Sequence, residues 1–523
     1  MARRSTALCL PLLLGCSTAV RGAYLQHGAY GRAARRDRSA SARLVAPTPP
    51  QPVIAGDAEA PEPMPVAKTG DEWLGSALAV RVDTVSAGVL DELRASAAAV
   101  VATAERPRRK DEAWRRTDLT SLFAAKLALP SGEVEEAAVG GVVEEPSAGM
   151  RLVLVDGAVS SDLSDLSALP DGVSVGSVGS LNAALASRVV EQLRSLPEEG
   201  ADKRTELGAY TFAALNQASF TDVACVHVPA GTSVPRPLCV YVLSSGAPEE
   251  GVMAASHPNL VVSLDEGAEL QMMQHYAPAA TAPSPYFTNA LTRLTIGENA
   301  TLRHAYVQEQ GPQAVHIDSV MVDVRLGGKY EAQVVASGGR IARVNLGIGL
   351  NDHHASCAVQ GLALATGSQL SDLHSYVLHA SPDCASQQEQ RNALAGAARV
   401  VFKGAVVVPR GSDNSTANQL CRTLLLSDGA RVDVQPTLEI DTDEVQCTHG
   451  ASIADLDDEM VFYLQSRGLD RLQARSLLLE GWARAFMSDV PSDGAKERVA
   501  AKAAVLAPET GSRASRVAEL SSI

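Results

Sequence analysis

A thiol and an imidazole stand two residues apart at Cys447 and His449, in the stretch EVQCTHGAS. On an extended strand this spacing aims both side chains at the same face. Thiolate and neutral imidazole are both good ligands for iron and iron–sulfur species. The same pair is equally familiar as a packed cysteine beside a hydrogen-bonded histidine, so the spacing alone leaves ligation, catalysis and packing open. His353-His354 and the set His374, His379 and Cys384 are weaker clusters. His374 and His379 differ by an odd number, which puts them on opposite faces of a straight strand. Cys225, Cys239, Cys357, Cys384, Cys421 and Cys447 are irregularly spaced, and no CxxC pair occurs. That pattern excludes a zinc ribbon and a ferredoxin arrangement. The chain also lacks GxxxxGK[ST], a GxGxxG opening a helix, GxSxG and HExxH. These absences argue against an ATPase, a dinucleotide enzyme, an α/β-hydrolase and a zincin.

The elements that must position these residues change along the chain. From 67 to 218 the signal is mixed and mostly helical. Ser86–Ala104 and Ser180–Leu196 have helical periodicity and a serine at the start that suits an N-cap, while Met150–Asp156 reads as a strand. From 219 to 445 helical periodicity gives way to short apolar or alternating runs such as VACVHV, NLVVSL, VMVDVRL and RVVFKGAVVV. Turn sequences recur at Gly231, Gly267, Asn299, Gly327, Gly367 and Gly429, each followed by an apolar or aromatic residue three positions on. Repeated strands without intervening helices predict a β-solenoid, with a β-sandwich as the competing architecture. From 446 to 523 helix returns. Asp455 is the expected N-cap of a helix over Leu456–Ser466, with Gly468 as its stop. Asp470 is the expected cap of a second helix reaching about Met487, with Leu478, Trp482 and Phe486 on its apolar stripe.

The chain of 523 residues carries a net charge of -15 and only 4% aromatic residues. Residues 1–44 hold eight arginines and one aspartate, so the remainder is strongly acidic. An acidic body excludes nucleic acid as the main partner. Arg3 and Arg4 followed by the apolar run Ala7–Val20 read as a signal peptide, and the Arg-, Ala- and Ser-rich stretch to Leu44 as a transit segment. Seven prolines between Ala46 and Val66 make a linker. The expected destination of this two-part address is the plastid stroma of a complex plastid, with secretion as the alternative. No other apolar run is long enough to span a bilayer, so no membrane partner is expected.

Several stretches together resemble the SufB/SufD family of SUF-system iron–sulfur cluster assembly scaffolds and, within it, SufD. They are Ala113-Trp-Arg-Arg-Thr-Asp118, Leu215-Asn-Gln-Ala218, Ser371–His379, Val401-Phe-Lys-Gly404, Pro436–Ile440, Asp443–Ala451 and Val461–Gly468. The resemblance spans roughly 110 to 490 and is densest after 370. It implies a mainly β fold, a right-handed parallel β-helix core between N-terminal and C-terminal helical regions. It also implies a non-catalytic scaffold subunit whose partners are the sister subunit SufB, through the β-helix, and the ATPase SufC. The C-terminal region docks SufC in that family, which points here to Phe462, Tyr463, Arg467 and Gly468. Nucleotide then belongs to SufC and not to this chain. A transient iron–sulfur cluster shared with SufB is the expected cargo, with His449 as the functional residue of its motif and Cys447 as its neighbour. Cys421 stands where SufB has an essential cysteine and SufD often has none. It reads as a neutral substitution on a buried strand or as an extra ligand. Two other readings remain: a purely structural SufC-binding subunit, and a secreted β-helix enzyme acting on polysaccharide.

Overall fold

Short apolar strands punctuated by tight turns bury their side chains by stacking coil on coil, and that is how this chain folds. The computed structural model describes residues 70–80, 89–143, 149–197, 207–281 and 284–507. The expected signal peptide, transit segment and linker of residues 1–66 lie outside the described residues.

Among the described residues, the N-terminal part contains α1 (Glu72–Ala79), α2 (Val89–Thr103), α3 (Thr120–Phe123), β1 (Leu127–Ala128), α4 (Glu136–Gly140), β2 (Arg151–Val155), β3 (Ala158–Val159), β4 (Ser174–Ser177), α5 (Ala183–Leu193) and α6 (Tyr210–Ser219). The chain then alternates between two sheets. One sheet holds β5 (Ala224–Val228), β8 (Asn259–Leu264), β10 (Tyr286–Ile296), β12 (Val315–Val324), β14 (Ile341–Leu350), β16 (Leu370–His379), β18 (Arg399–Val408) and β20 (Arg431–Ile440). The other holds β6 (Leu238–Ser244), β9 (Glu269–Pro278), β11 (Thr301–Gln308), β13 (Lys329–Ala336), β15 (Ser356–Ala365), β17 (Ala385–Leu394), β19 (Ser415–Leu425) and β21 (Val445–Ala454). The short β7 (Met253–Ser256) pairs with β1 and with the start of β10.

Neighbouring coils pair in parallel in both sheets. The coil length runs from 36 residues, between Ala224 and Leu260, down to 26, between Val315 and Ile341. The result is a parallel β-solenoid of about seven coils, as the sequence texture predicts, and not a sandwich.

Register stacks like on like inside. Val262, Leu294, Val322, Ile348, Val377, Val406 and Leu438 form one inward column. Each fully buried aliphatic side chain in it contributes about 1.5–3 kcal/mol. Stacking of this kind needs no large aromatic core, which explains the composition. The turns use left-handed backbone, as the repeat implies, but at two different corners. Gly231, Gly267, Asn299 and Gly327 precede strands of the second sheet, and His354, Asp383 and Asn414 continue their series with φ of 59–61°. Gly367, left-handed at φ +60°, and Gly429, which is not left-handed, precede strands of the first sheet instead. The irregular sequence spacing of the repeat arises from merging the two series.

The N-terminal segment covers the outer face of the first sheet, where Trp73, Trp114 and Phe212 pack with Phe287, Val315 and Ile317. It is not purely helical: β2 joins the second sheet beside β6, and β4 pairs antiparallel with β5. Two of the sequence motifs are structural fasteners. Asn216 Nδ2 donates to the carbonyls of Pro258 and Asn289, both at 2.8 Å. Arg343, fully buried, stacks 3.8 Å from the Trp114 ring and donates to Ala113 O, Thr117 Oγ1 and Asp372 Oδ2. Burial pushes the Asp372 carboxyl up, but the attraction of His374 and Arg343 and the Thr117 hydroxyl bring it down to about 2. Arg116 reaches further, to Asp433 and Gln435 on β20.

The C-terminal part holds α7 (Asp458–Ser466), α8 (Arg471–Phe486) and α9 (Asp493–Ala504); α8 and α9 pack on the outer face of the second sheet, and α7 packs against α8. Several boundaries differ from expectation. The solenoid runs past residue 445 through β21, because Val445–Ala454 still finds a partner in β19. Asn182, and not Ser180, caps α5 through Leu185 N. Asp457 caps α7, while Asp455 is taken by Arg475 at 2.8 Å. Asp470 caps α8 as expected, in a capping box with Gln473. The buried stripe of α8 runs through Leu479, Ala483 and Phe486, one residue round from Leu478 and Trp482.

The solenoid interior also encloses polar groups. Tyr276 and Tyr306 donate to Asp318 at 2.8 and 3.1 Å, and the Tyr306 hydroxyl lies 2.6 Å from His316 Nε2. Burial pushes the Asp318 carboxyl up to about 6, although both tyrosine hydrogen bonds oppose the shift. A raised folded-state pKa means that folding favours the protonated carboxyl. That contribution is complete below the unfolded value near ~3.9 and is lost as pH rises through about 6. Asp318→Asn should therefore stabilise the protein most at pH 8, by roughly 2–3 kcal/mol, and by roughly half of that at pH 5. Denaturant melts at the two pH values check this, and an equal shift at both would contradict it.

Candidate functional site

The last coil has a neighbour on one side only. β20 and β21 are the terminal strands of their sheets, each paired to a single strand. Their outer edges present backbone N–H and C=O groups with no strand beyond them among the described residues. The inward face of the last coil is therefore partly open to solvent, unlike every coil before it.

Register decides which residues stand at this mouth. On β19 the inward positions are Ala417, Gln419, Cys421 and Thr423, all buried. They pair with Cys447, His449, Ala451 and Ile453 on β21. Cys447 and His449 thus share the inward face, as their spacing predicts. Cys447 is half-buried against Val445 and the interior core. His449 is exposed and makes no hydrogen bond or ion pair among the described residues. Cys421 lies on the same inner face one coil deeper, opposite Ala451, with Asn392 Nδ2 3.5 Å from its sulfur. Burial pushes the Cys421 thiol up to about 11 and also raises that of Cys447.

Behind His449 runs a row of amides that reading for ligands overlooked. Gln419 Nε2 donates to Gln388 Oε1 at 3.1 Å, and Ser375 Oγ donates to the same oxygen at 2.9 Å. Gly404 makes room for this row, since a Cβ there would overlap the Gln419 amide. The signal in the sequence is the alternation of Ser386, Gln388, Gln390 and Asn392, four polar residues in a row on the face that carries Cys357, Val359, Gly361 and Ala363 in the coil before.

The weaker histidine clusters are not brought together. His374 faces outward onto Asp372 and Arg343, whereas His379 faces inward, 2.8 Å from Ser386 Oγ. His353 sits at an exposed corner, 3.4 Å from Asp383. Among the described residues no group of three or more His, Cys, Asp or Glu is placed to hold a metal ion.

A second surface feature lies just beyond β21. Phe462 is 71% exposed, and Met460 and Tyr463 are each 55% exposed. Leu472 and Leu477 on α8 are also exposed, so several large apolar side chains of the helical layer face solvent. Arg467 stacks 5.2 Å from the Tyr463 ring. Gly468, at φ +96°, closes α7 in a conformation that L side chains rarely adopt, so its role in this turn is backbone geometry. No helix among the described residues is long and apolar enough to cross a membrane.

Comparison with known proteins accords with this architecture. Residues 77–240 match the family model of the SufBD protein N-terminal region, and residues 245–482 that of the SUF system FeS cluster assembly SufBD core domain. An iron–sulfur cluster assembly SufBD family protein of Synechocystis sp. is 30% identical over 77% of this chain and 88% of its own length. The chloroplastic protein ABCI7 of Arabidopsis thaliana is 28% identical over 77% of this chain and 83% of its own. The iron–sulfur cluster assembly protein SufD of Escherichia coli is 25% identical over 76% of this chain and 88% of its own.

The mouth geometry sets the reactivity of the thiols. Cys225, Cys239, Cys357, Cys384 and Cys421 are buried, and Cys447 alone among the described cysteines is partly accessible. Iodoacetamide on the native protein should alkylate Cys447 at least ~100-fold faster than these five, because the buried thiols wait for local opening. Peptide mass mapping reads the order, and labelling of Cys421 first would contradict the pairing of β19 with β21.

Proposed function

Because this chain belongs to the SufBD family of SUF-system iron–sulfur cluster assembly proteins, we propose that it is a SufD-type scaffold subunit, non-catalytic itself, working in the plastid. Its open solenoid end receives the sister subunit SufB, and the two together form the surface on which a cluster is assembled. The observation that carries this reading is the coincidence of two features at one place. The coil that exposes unpaired strand edges is also the coil that presents Cys447 and His449 on its inward face.

Strand edges are suited to main-chain pairing with a second chain. A soft thiol and an imidazole at that edge supply part of an iron or sulfide site, and the partner supplies the remainder. The cluster is cargo, passed on after assembly. Cys421, buried behind the mouth, is reached only if the last coil loosens, so it ranks after His449 and Cys447.

The apolar surface containing Phe462 and Tyr463 is the docking site for the ATPase SufC in this reading, with Arg467 holding the Tyr463 ring and Gly468 shaping the turn. Plastid delivery rests on the composition of the first 44 residues and on likeness to a chloroplastic relative. A second reading keeps SufC docking and gives His449 no ligand role. The exposure of His449 at the edge favours the first.

Reconstitution separates the two. The chain is co-expressed with SufB and SufC, and the purified complex is supplied anaerobically with ferrous iron and sulfide. His449→Ala should leave the complex intact and lower the yield of cluster absorption roughly tenfold or more. Unchanged yield would leave a structural subunit. Phe462→Ala with Tyr463→Ala should weaken SufC binding by roughly 30-fold or more, as loss of aromatic anchors does, and unchanged binding would remove the docking assignment.

A further inference from the structure

The helical layer is attached to the solenoid in two unlike ways. At its far end the attachment is multiple. Glu309, at the end of β11 and nearly buried, is within 3.0 Å of His275 Nε2 and of Arg498, and within 3.2 Å of Lys502. Nearby, Gln333 Nε2 donates to Phe486 O at 2.9 Å, and Arg391 lies 5.0 Å from the Phe486 ring. These contacts hold α9 and the C-terminal end of α8 against the middle coils.

At the near end, among the described residues, the polar attachment is one ion pair, beside Leu456, which packs against the apolar cluster shared by α8 and the second sheet. Arg475, in the second turn of α8 and 1% exposed, grips Asp455 with both terminal nitrogens at 2.8 and 3.4 Å. Its Nε, also buried, has no hydrogen-bond partner among the described residues. Asp455 is the first residue after β21, and its Oδ1 also accepts from Leu456 N at 2.7 Å. Asp455 thus connects the strand carrying Cys447 and His449 to the helices carrying the exposed apolar surface. Only Asp455, Leu456 and Asp457 separate β21 from α7.

We infer that the Arg475–Asp455 pair is a positioning element that transmits movement of the docked helices to β21, and so to the mouth of the solenoid. This rests on the docking reading above. A force applied to α7 and the start of α8 meets several ionic contacts around Glu309 at one end, and at the other one ionic contact with Leu456 packed beside it. Displacement concentrates at the weaker attachment. Because Arg475 is buried with few alternatives for its guanidinium, the pair moves as a unit and carries the exit of β21 with it. Arg475 and Asp455 touch no cargo in this account.

The test uses the complete complex with SufB and SufC, with hydrogen exchange of the Val445–Ala454 amides measured before and after ATP is added. In the wild-type complex ATP should change exchange in this strand by about tenfold. Arg475→Gln should bind SufC with unchanged affinity and show less than about a twofold change in the strand. Arg475→Lys, which keeps the charge and one contact, should restore part of the response. If Arg475→Gln binds SufC and the full ATP-dependent change persists, the inference is overturned. If Arg475→Gln and Arg475→Lys both lose SufC binding, it is also overturned, because the pair then maintains the docking surface and relays nothing. Binding of SufC to the Phe462→Ala, Tyr463→Ala protein is read separately, so failure of the docking site and failure of the relay give different results.

Discussion

A parallel solenoid satisfies its backbone by stacking, so it cannot stop without leaving one coil half paired. Everything distinctive about this molecule follows from where that unpaired coil falls and what it carries. Helices before and after the solenoid pack on the outer faces of the two sheets, and among the described residues no strand lies beyond β20 and β21. An exposed pair of edges of this length is a liability for an isolated chain and an asset for a subunit. The same register that buries Gln419 and Cys421 in the penultimate coil brings His449 and Cys447 to the surface in the last. One geometric rule, the period of two along a strand, therefore serves the core in one coil and the site in the next.

The flanking segments hold this edge in shape. From the N-terminal side Arg116 reaches Asp433 and Gln435 on β20, while its neighbours Trp114 and Thr117 lock onto Arg343. From the C-terminal side Asp455 and Arg475 fix the exit of β21. The segments that flank the solenoid thus bear on its open end from both sheets, Arg116 from 317 residues before Asp433 and Asp455 from the position next to β21.

Much of this was legible in the residues. Strand texture and the turn residues identified the solenoid, because a tight corner needs left-handed backbone and an inward apolar residue must follow it. The opposite facing of His374 and His379, and the shared face of Cys447 and His449, came from parity alone. What was not legible depended on tertiary competition. Asp455 looks like an N-cap until Arg475 claims it, and Asp457 then takes the cap. Ser180 looks like a cap, but Asn182 is better placed once β4 fixes the preceding turn. The series of Gly231 and Gly367 looks like one repeat because the chain does not reveal which corner each glycine turns. His354, Asp383 and Asn414 hide in that series because they reach the left-handed region without being glycine. The helix α9 was missed because its apolar residues are mostly alanines, whose burial depends on α8 being there.

The central claim is that this chain holds half of a site and that a second solenoid completes it. The direct measurement is anaerobic binding of ferrous iron and sulfide by this chain alone and by its pair with SufB, followed by absorption and metal analysis at equal protein concentration. The account predicts cluster absorption in the pair and none above background in the isolated chain. Equal cluster content in both would contradict it, because the mouth of the single solenoid would then be a complete site.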